Sequence, residues 1–157
     1  MTGTLTPHCI THRGLNHVGL TVRDMRETLQ WYRDVFGVQE RFIQQAGAGP
    51  ELDAATGLDE AALTYAFVEL GNTCIEFLEY QHPPGEDHDR RNCDVGTVHV
   101  CFEVEDANEA YEKLLQMGVA TNAPPVFIGE GPIKGWTFCY FRDPNGIQLE
   151  VISAPRT

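Results

Sequence analysis

Basic charge is scarce in this chain of 157 residues: Lys and Arg together number 11, and only Lys113 and Lys134 are lysines. Against 23 Asp and Glu this leaves a formal charge of −12. So acidic a surface repels phosphate backbones and anionic lipid headgroups, so neither nucleic acid nor a membrane surface is an expected partner. Long apolar runs are missing too, none approaching the roughly 18 residues that span a bilayer. Met1 to His12 is too polar for a secretory leader. The five cysteines (Cys9, Cys74, Cys93, Cys101 and Cys139) are odd in number and form no Cys-x-x-Cys pair. The expectation is therefore reduced thiols in a cytoplasmic protein, not a secreted disulfide framework.

What the chain does have is an internal repeat. His17-Val18-Gly19-Leu20-Thr21-Val22-Arg23-Asp24 recurs in outline as His99-Val100-Cys101-Phe102-Glu103-Val104-Glu105-Asp106. Both stretches lead into a helical pattern that stops at Gly-Val, at Gly37-Val38 and Gly118-Val119. Later, Ile75-Glu76 follows a Gly-Asn turn and Leu149-Glu150 follows Asn145-Gly146. The first copy is longer, with the polar stretch 44–60 as the obvious insertion. Periodicity predicts strands at 16–22, 40–45, 63–70 and 73–80 with a helix at 25–36. In the second copy it predicts strands at 98–104, 126–129, 136–141 and 147–153 with a helix at 107–117. Each copy reads as a βαβββ unit, because a parallel partner for the first strand requires a crossover. The expected organisation is an extension at 1–14, a module at 15–80, a linker at 81–96 and a second module at 97–153.

Strand alternation then places the chemistry. Val18, Leu20 and Val22 share one face of the first strand, leaving His17, Gly19 and Thr21 on the other. His99, Glu76 and Glu150 likewise fall opposite the aliphatic residues of their strands. Two imidazoles and two carboxylates on one side of a curved sheet form a candidate metal site: His17, Glu76, His99 and Glu150. That donor set suits one divalent Zn, Ni, Co, Mn or Fe ion and is too nitrogen-rich for Ca or Mg. Tyr65 and Phe67 share a face, as do Trp136, Phe138 and Tyr140; Tyr65, Phe67, Phe138 and Tyr140 are the candidate walls for an organic substrate.

At these residues the sequence resembles the vicinal oxygen chelate superfamily, which contains glyoxalase I, methylmalonyl-CoA epimerase, extradiol dioxygenases and antibiotic-resistance proteins. The resemblance rests on Leu15 to Val22, Trp31 to Gly37, Gly71 to Glu79, His99 to Val104 and Asp143 to Glu150, and spans about residues 15–153. It implies an α+β fold in which two βαβββ modules build a curved eight-stranded mixed sheet with helices on the convex side. It also implies a homodimer whose modules close the site within one chain or exchange between subunits. In glyoxalase I and the epimerase the metal polarises a carbonyl and stabilises the enediolate or enolate left when a neighbouring C–H loses its proton. A ligand glutamate serves as the base, with Glu150 the first candidate and Glu76 the second. The expected activity is thus a glyoxalase-type isomerase, epimerase or lyase.

Two other readings compete. An extradiol dioxygenase would use His17, His99 and Glu150 as an Fe(II) or Mn(II) triad, although Glu76 would then fill a position that catecholate and dioxygen need. A small-molecule binder of the antibiotic-resistance kind has no need for two strand-borne carboxylates. His82 and His88 could imitate a second metal site, and Arg90, Arg91 and Arg142 an anion clamp, but solvated loop residues are the simpler expectation. Cys74 and Cys101 share the ligand face as small wall residues, with nothing nearby to activate a thiolate.

Overall fold

The computed structural model describes residues 12–87 and 89–155. Cys9, most of the N-terminal extension and His88 lie outside the described residues.

The first half runs β1 (His17–Thr21), α1 (Met25–Phe36), β2 (Glu40–Gln45), α2 (Pro50–Thr56), β3 (Ala62–Leu70) and β4 (Thr73–His82). The second runs β5 (His99–Glu103), α3 (Ala107–Gln116), β6 (Val126–Phe127), β7 (Thr137–Arg142) and β8 (Gln148–Ser153). The sheet orders are β1-β4-β3-β2 and β5-β8-β7-β6, so the repeat in sequence is a repeat in topology. In both sheets the first strand lies parallel to the last of its module, and the other pairs are antiparallel.

Helix α1 forms where its sequence caps it at both ends. Asp24 accepts a hydrogen bond from the Glu27 backbone N–H at 2.8 Å. Gly37 closes the other end at φ 67°, a left-handed conformation that glycine adopts without a Cβ penalty. Met25, Thr28, Leu29 and Tyr32 fall on one stripe and are buried. They meet Leu20, Val22, Ile75 and Phe77 from the aliphatic side of the first sheet. Asp106 caps α3 in the same way, accepting from Asn108 and Glu109.

Two expectations need correction. The hydrogen-bonded ladders form two four-stranded sheets, not one sheet of eight. The halves are joined by side chains: one hydrophobic cluster contains Leu29, Tyr32 and Phe77 together with Leu114, Phe141 and Leu149. The turn Asp143-Pro144-Asn145-Gly146 also docks on α1, with Asn145 donating to Thr28 Oγ1 at 2.9 Å and accepting from the Arg23 backbone N–H at 2.9 Å. The second correction is α2, which occupies the stretch 44–60 that reads only as an insertion. It buries none of its residues, so no amphipathic period announces it; Pro50 in its first turn and Gly57 at its end (φ 69°) do. The strand expected at 126–129 shrinks to Val126–Phe127.

Candidate active site

The structure assembles the four expected ligands as two equivalent pairs. His17 Nε2 stands 3.3 Å from Glu76 Oε2, and His99 Nε2 stands 3.1 Å from Glu150 Oε2. The equivalence follows from register. His17 lies opposite Cys74, so Glu76 is two residues further along β4; His99 lies opposite Gln148, so Glu150 is two residues further along β8. Both pairs sit on the sheet face away from the helices, where period-two alternation puts them. The imidazoles are partly open, with side-chain exposures of 36% and 45%.

The pairs do not merge into a quartet within one chain. Among the described residues no three His, Cys, Asp or Glu side chains are grouped so as to hold a metal ion. Within one chain they stand as two separate imidazole–carboxylate pairs, each a candidate half-site.

The donor chemistry of each half-site fits a divalent cation. His17 Nδ1 donates to Asn16 Oδ1 at 2.8 Å, an outer hydrogen bond that orients the ring with Nε2 toward Glu76. Imidazole nitrogen and carboxylate oxygen side by side are the donor types that a divalent transition-metal ion takes. His17, Glu76, His99 and Glu150 are the residues that would hold the ion.

Aromatic rings flank both half-sites in matching places. Phe67 meets His17 edge-on at 5.4 Å, and Tyr65 lies 6.3 Å from Phe67. Tyr140 meets His99 edge-on at 5.3 Å, and Phe138 lies 5.7 Å from Tyr140. Phe42 of β2 joins the first group, 5.7 Å from both Tyr65 and Phe67. Its place depends on a bulged β2–β3 register that alternation does not reveal.

The two carboxylates differ in surroundings. Glu150 is buried, and Tyr140 on β7 and Cys101 on β5 lie opposite it in the ladders. Burial, followed by the Glu150 charge, pushes Cys101 and Tyr140 each up to about 12. Cys101 is thus held as a thiol, in agreement with its expected role as a wall.

The remaining candidates serve structure. His82 Nδ1 contacts the Glu60 carbonyl at 3.0 Å. Arg142 binds Asp89 and the Arg90 carbonyl, Arg91 pairs with Asp94, and Arg90 donates to the Val95 carbonyl. These arginines fasten the connector between β4 and β5. A cavity of about 610 Å³ lies beside that connector, lined by Gly19, Thr21, Asp87, Arg90, Thr97 and Gln148 among others. It runs along β1, and its lining includes none of His17, Glu76, His99 and Glu150.

The sequence matches the Glyoxalase/Bleomycin resistance protein/Dioxygenase superfamily over residues 14–151. The chain belongs to that superfamily. It is 33% identical to a 2-epi-5-epi-valiolone epimerase of Actinomyces sp, with 99% of this chain and 85% of that protein covered. It is 29% identical to the mitochondrial methylmalonyl-CoA epimerase of Homo sapiens, covering 89% of this chain and 73% of that protein. The solved structure of a glyoxalase family protein from Bacillus cereus superposes with a TM-score of 0.79, covering 96% of this chain and 100% of that one. At 17% identity that similarity speaks to the fold alone. This superfamily member is an enzyme, as its named epimerase relatives are. No helix of the described residues is long and apolar enough to cross a membrane.

Proposed function

We propose that the chain is a metal-dependent epimerase that moves a proton on the carbon next to a carbonyl. The observation that carries this reading is the repeated imidazole–carboxylate pair, Nε2 to Oε2 at 3.3 and 3.1 Å, at equivalent strand positions of the two modules. A divalent ion held by these residues would supply Lewis-acid polarisation of the substrate carbonyl. The chain's own residues do the rest. One glutamate beside the carbonyl takes the carbon-bound proton while the C–H electron pair moves toward oxygen, and the other glutamate, in its acid form, gives a proton to the opposite face of the carbon, which inverts it. The rings at Tyr65, Phe67, Phe138 and Tyr140 hold the organic part of the substrate and keep water from it.

Two half-sites per chain imply that a homodimer completes the centre, with His17 and Glu76 of one copy meeting the second pair of the other. The charge around the half-sites favours a small uncharged carbonyl compound over a phosphorylated thioester. Arg23, Arg33, Arg41, Arg91, Arg142 and Lys113 are each committed to a carboxylate elsewhere.

The test is metal analysis of protein purified without added metal. It is followed by deuterium exchange into 2-epi-5-epi-valiolone and methylmalonyl-CoA in heavy water, read by NMR. Exchange that requires a bound divalent ion supports the reading. Oxygen uptake with catechols, or tight binding of either compound without exchange, overturns it.

A further inference from the structure

β1 is an end strand of its sheet, and its outer edge lines the cavity of about 610 Å³. Parity fixes which backbone groups point outward. The Val22 N–H donates to the Leu78 carbonyl of β4, while the Arg23 N–H turns the other way and donates to Asn145 Oδ1. In a parallel pair the N–H and C=O of one residue share a side, so those of Gly19 and Thr21 also point away from β4. Among the described residues no hydrogen bond engages these four groups.

The two arginines that line the cavity differ. Arg23 is occupied: its Nε donates to Asp87 at 2.6 Å and its Nη1 to the Pro144 carbonyl at 2.9 Å. Arg90 is half-buried and donates through Nη1 to the Val95 carbonyl at 2.9 Å, and among the described residues it makes no ion pair. Most of its five N–H donors are left for another partner. Gly96 gives the guanidinium its room, since a Cβ built there would stand 3.0 Å from Arg90 Nη1. The nearby acids do not quench it. Asp87 is held by Arg23, Asp94 (which feels the Arg90 charge) is held by Arg91, and Glu86 lies exposed on the connector. Leu20, Val22, Val98 and Ile147 make the apolar part of the lining.

We propose that this cavity is a second ligand site, which takes a small monocarboxylate with an apolar body. A guanidinium meets a planar carboxylate with two parallel N–H···O bonds. Arg90 supplies that fork, the outward N–H groups of Gly19 and Thr21 add donors, and the apolar side chains hold the body. The volume suits one such molecule. This goes beyond the epimerase reading and does not depend on it: that substrate is read as uncharged, and this ligand is an anion bound away from the four histidines and glutamates. Because the walls come from β1, the connector and the 145–148 segment of the second module, the ligand stabilises the seam between the halves.

Phenylacetate is the probe, and phenylacetamide is its uncharged counterpart. Calorimetry on full-length protein stripped with EDTA ensures that no bound metal ion takes the carboxylate. Phenylacetate is expected to bind at about 1 mM or tighter and to raise the melting temperature; the amide should bind at least about tenfold more weakly. Arg90→Gln should weaken phenylacetate about 10–100-fold and leave the amide unchanged, with Arg90→Lys losing about tenfold because it lacks the fork. Val98→Trp, at a residue 66% exposed, narrows the cavity without touching Arg90 and should abolish binding of both compounds. No heat or melting shift at about 10 mM phenylacetate, equal binding of acid and amide, or binding that survives Arg90→Gln or Val98→Trp overturns the proposal. So does phenylacetate binding that requires added Ni²⁺, which would place the acid on the metal and leave the epimerase reading intact. Phenylacetate bound as expected by a protein that exchanges neither compound in heavy water supports the site and strikes the epimerase reading alone.

Discussion

Phe36, the last residue of α1, stacks on Phe102 of β5 with ring centroids 4.0 Å apart and planes 15° from parallel. The ring of Phe141 on β7 lies 6.4 Å further into the second module. One helix of the first half thus reaches the apolar face of the second. Phe36→Ala should destabilise the protein by about 3 kcal/mol, measured by urea unfolding. A loss well under 1 kcal/mol would mean that this stack does not couple the halves.

Asn16 is the outer partner of the first half-site, accepting from His17 Nδ1. Asn16→Ala should weaken metal binding about tenfold while leaving the melting temperature near that of the unaltered protein, since Asn16 is exposed. Calorimetry with Ni²⁺ checks the first part and thermal unfolding the second.

A site shared between two copies has a distinctive signature in mixtures. His17→Ala and His99→Ala variants are each expected to be inactive. In a mixed dimer one centre combines both lesions, while the other receives the intact His17 pair of one copy and the intact His99 pair of its mate. Unfolding and refolding the two variants together should restore about a quarter of full activity. A site closed within one chain would restore none.

Asp143 links stability to pH. Burial raises its carboxyl above the ordinary value of 3.8, against hydrogen bonds from Asn145, the Ile147 N–H and Tyr32. A folded-state value above the unfolded one means that the native chain binds the extra proton. The stabilisation is therefore full below the unfolded value and is lost as pH rises through the folded value. Melting temperatures of the unaltered protein, taken relative to Asp143→Asn, should fall across that interval and then level off. A difference that grows with pH would reverse the sign and refute the assignment.

Much of this arrangement is legible in the sequence because it depends on local period. Val18, Leu20 and Val22 alternate with His17, Gly19 and Thr21, and Asp24 and Gly37 bracket α1, so faces and caps can be read directly. The matching of His17 with His99, and of Glu76 with Glu150, follows from duplication. Other features depend on which residues stand opposite one another. Tyr140 beside Glu150, and Phe42 beside Phe67, are facts of register, and a bulge in β2 shifts one of them. Whether two sheets fuse along an edge or meet through a helix is decided by docking of Phe36, Tyr32 and Asn145, contacts between distant parts of the chain. Short α2, burying nothing, leaves no periodic trace at all.

Because α1 and the 143–146 turn hold the halves together through side chains, the segment between β4 and β5 is a tether more than a hinge. It raises the local concentration of one half around the other without dictating how they fit. Severing it should yield two fragments that still find each other, and the same complementary surfaces would be available to a permuted chain whose termini open there.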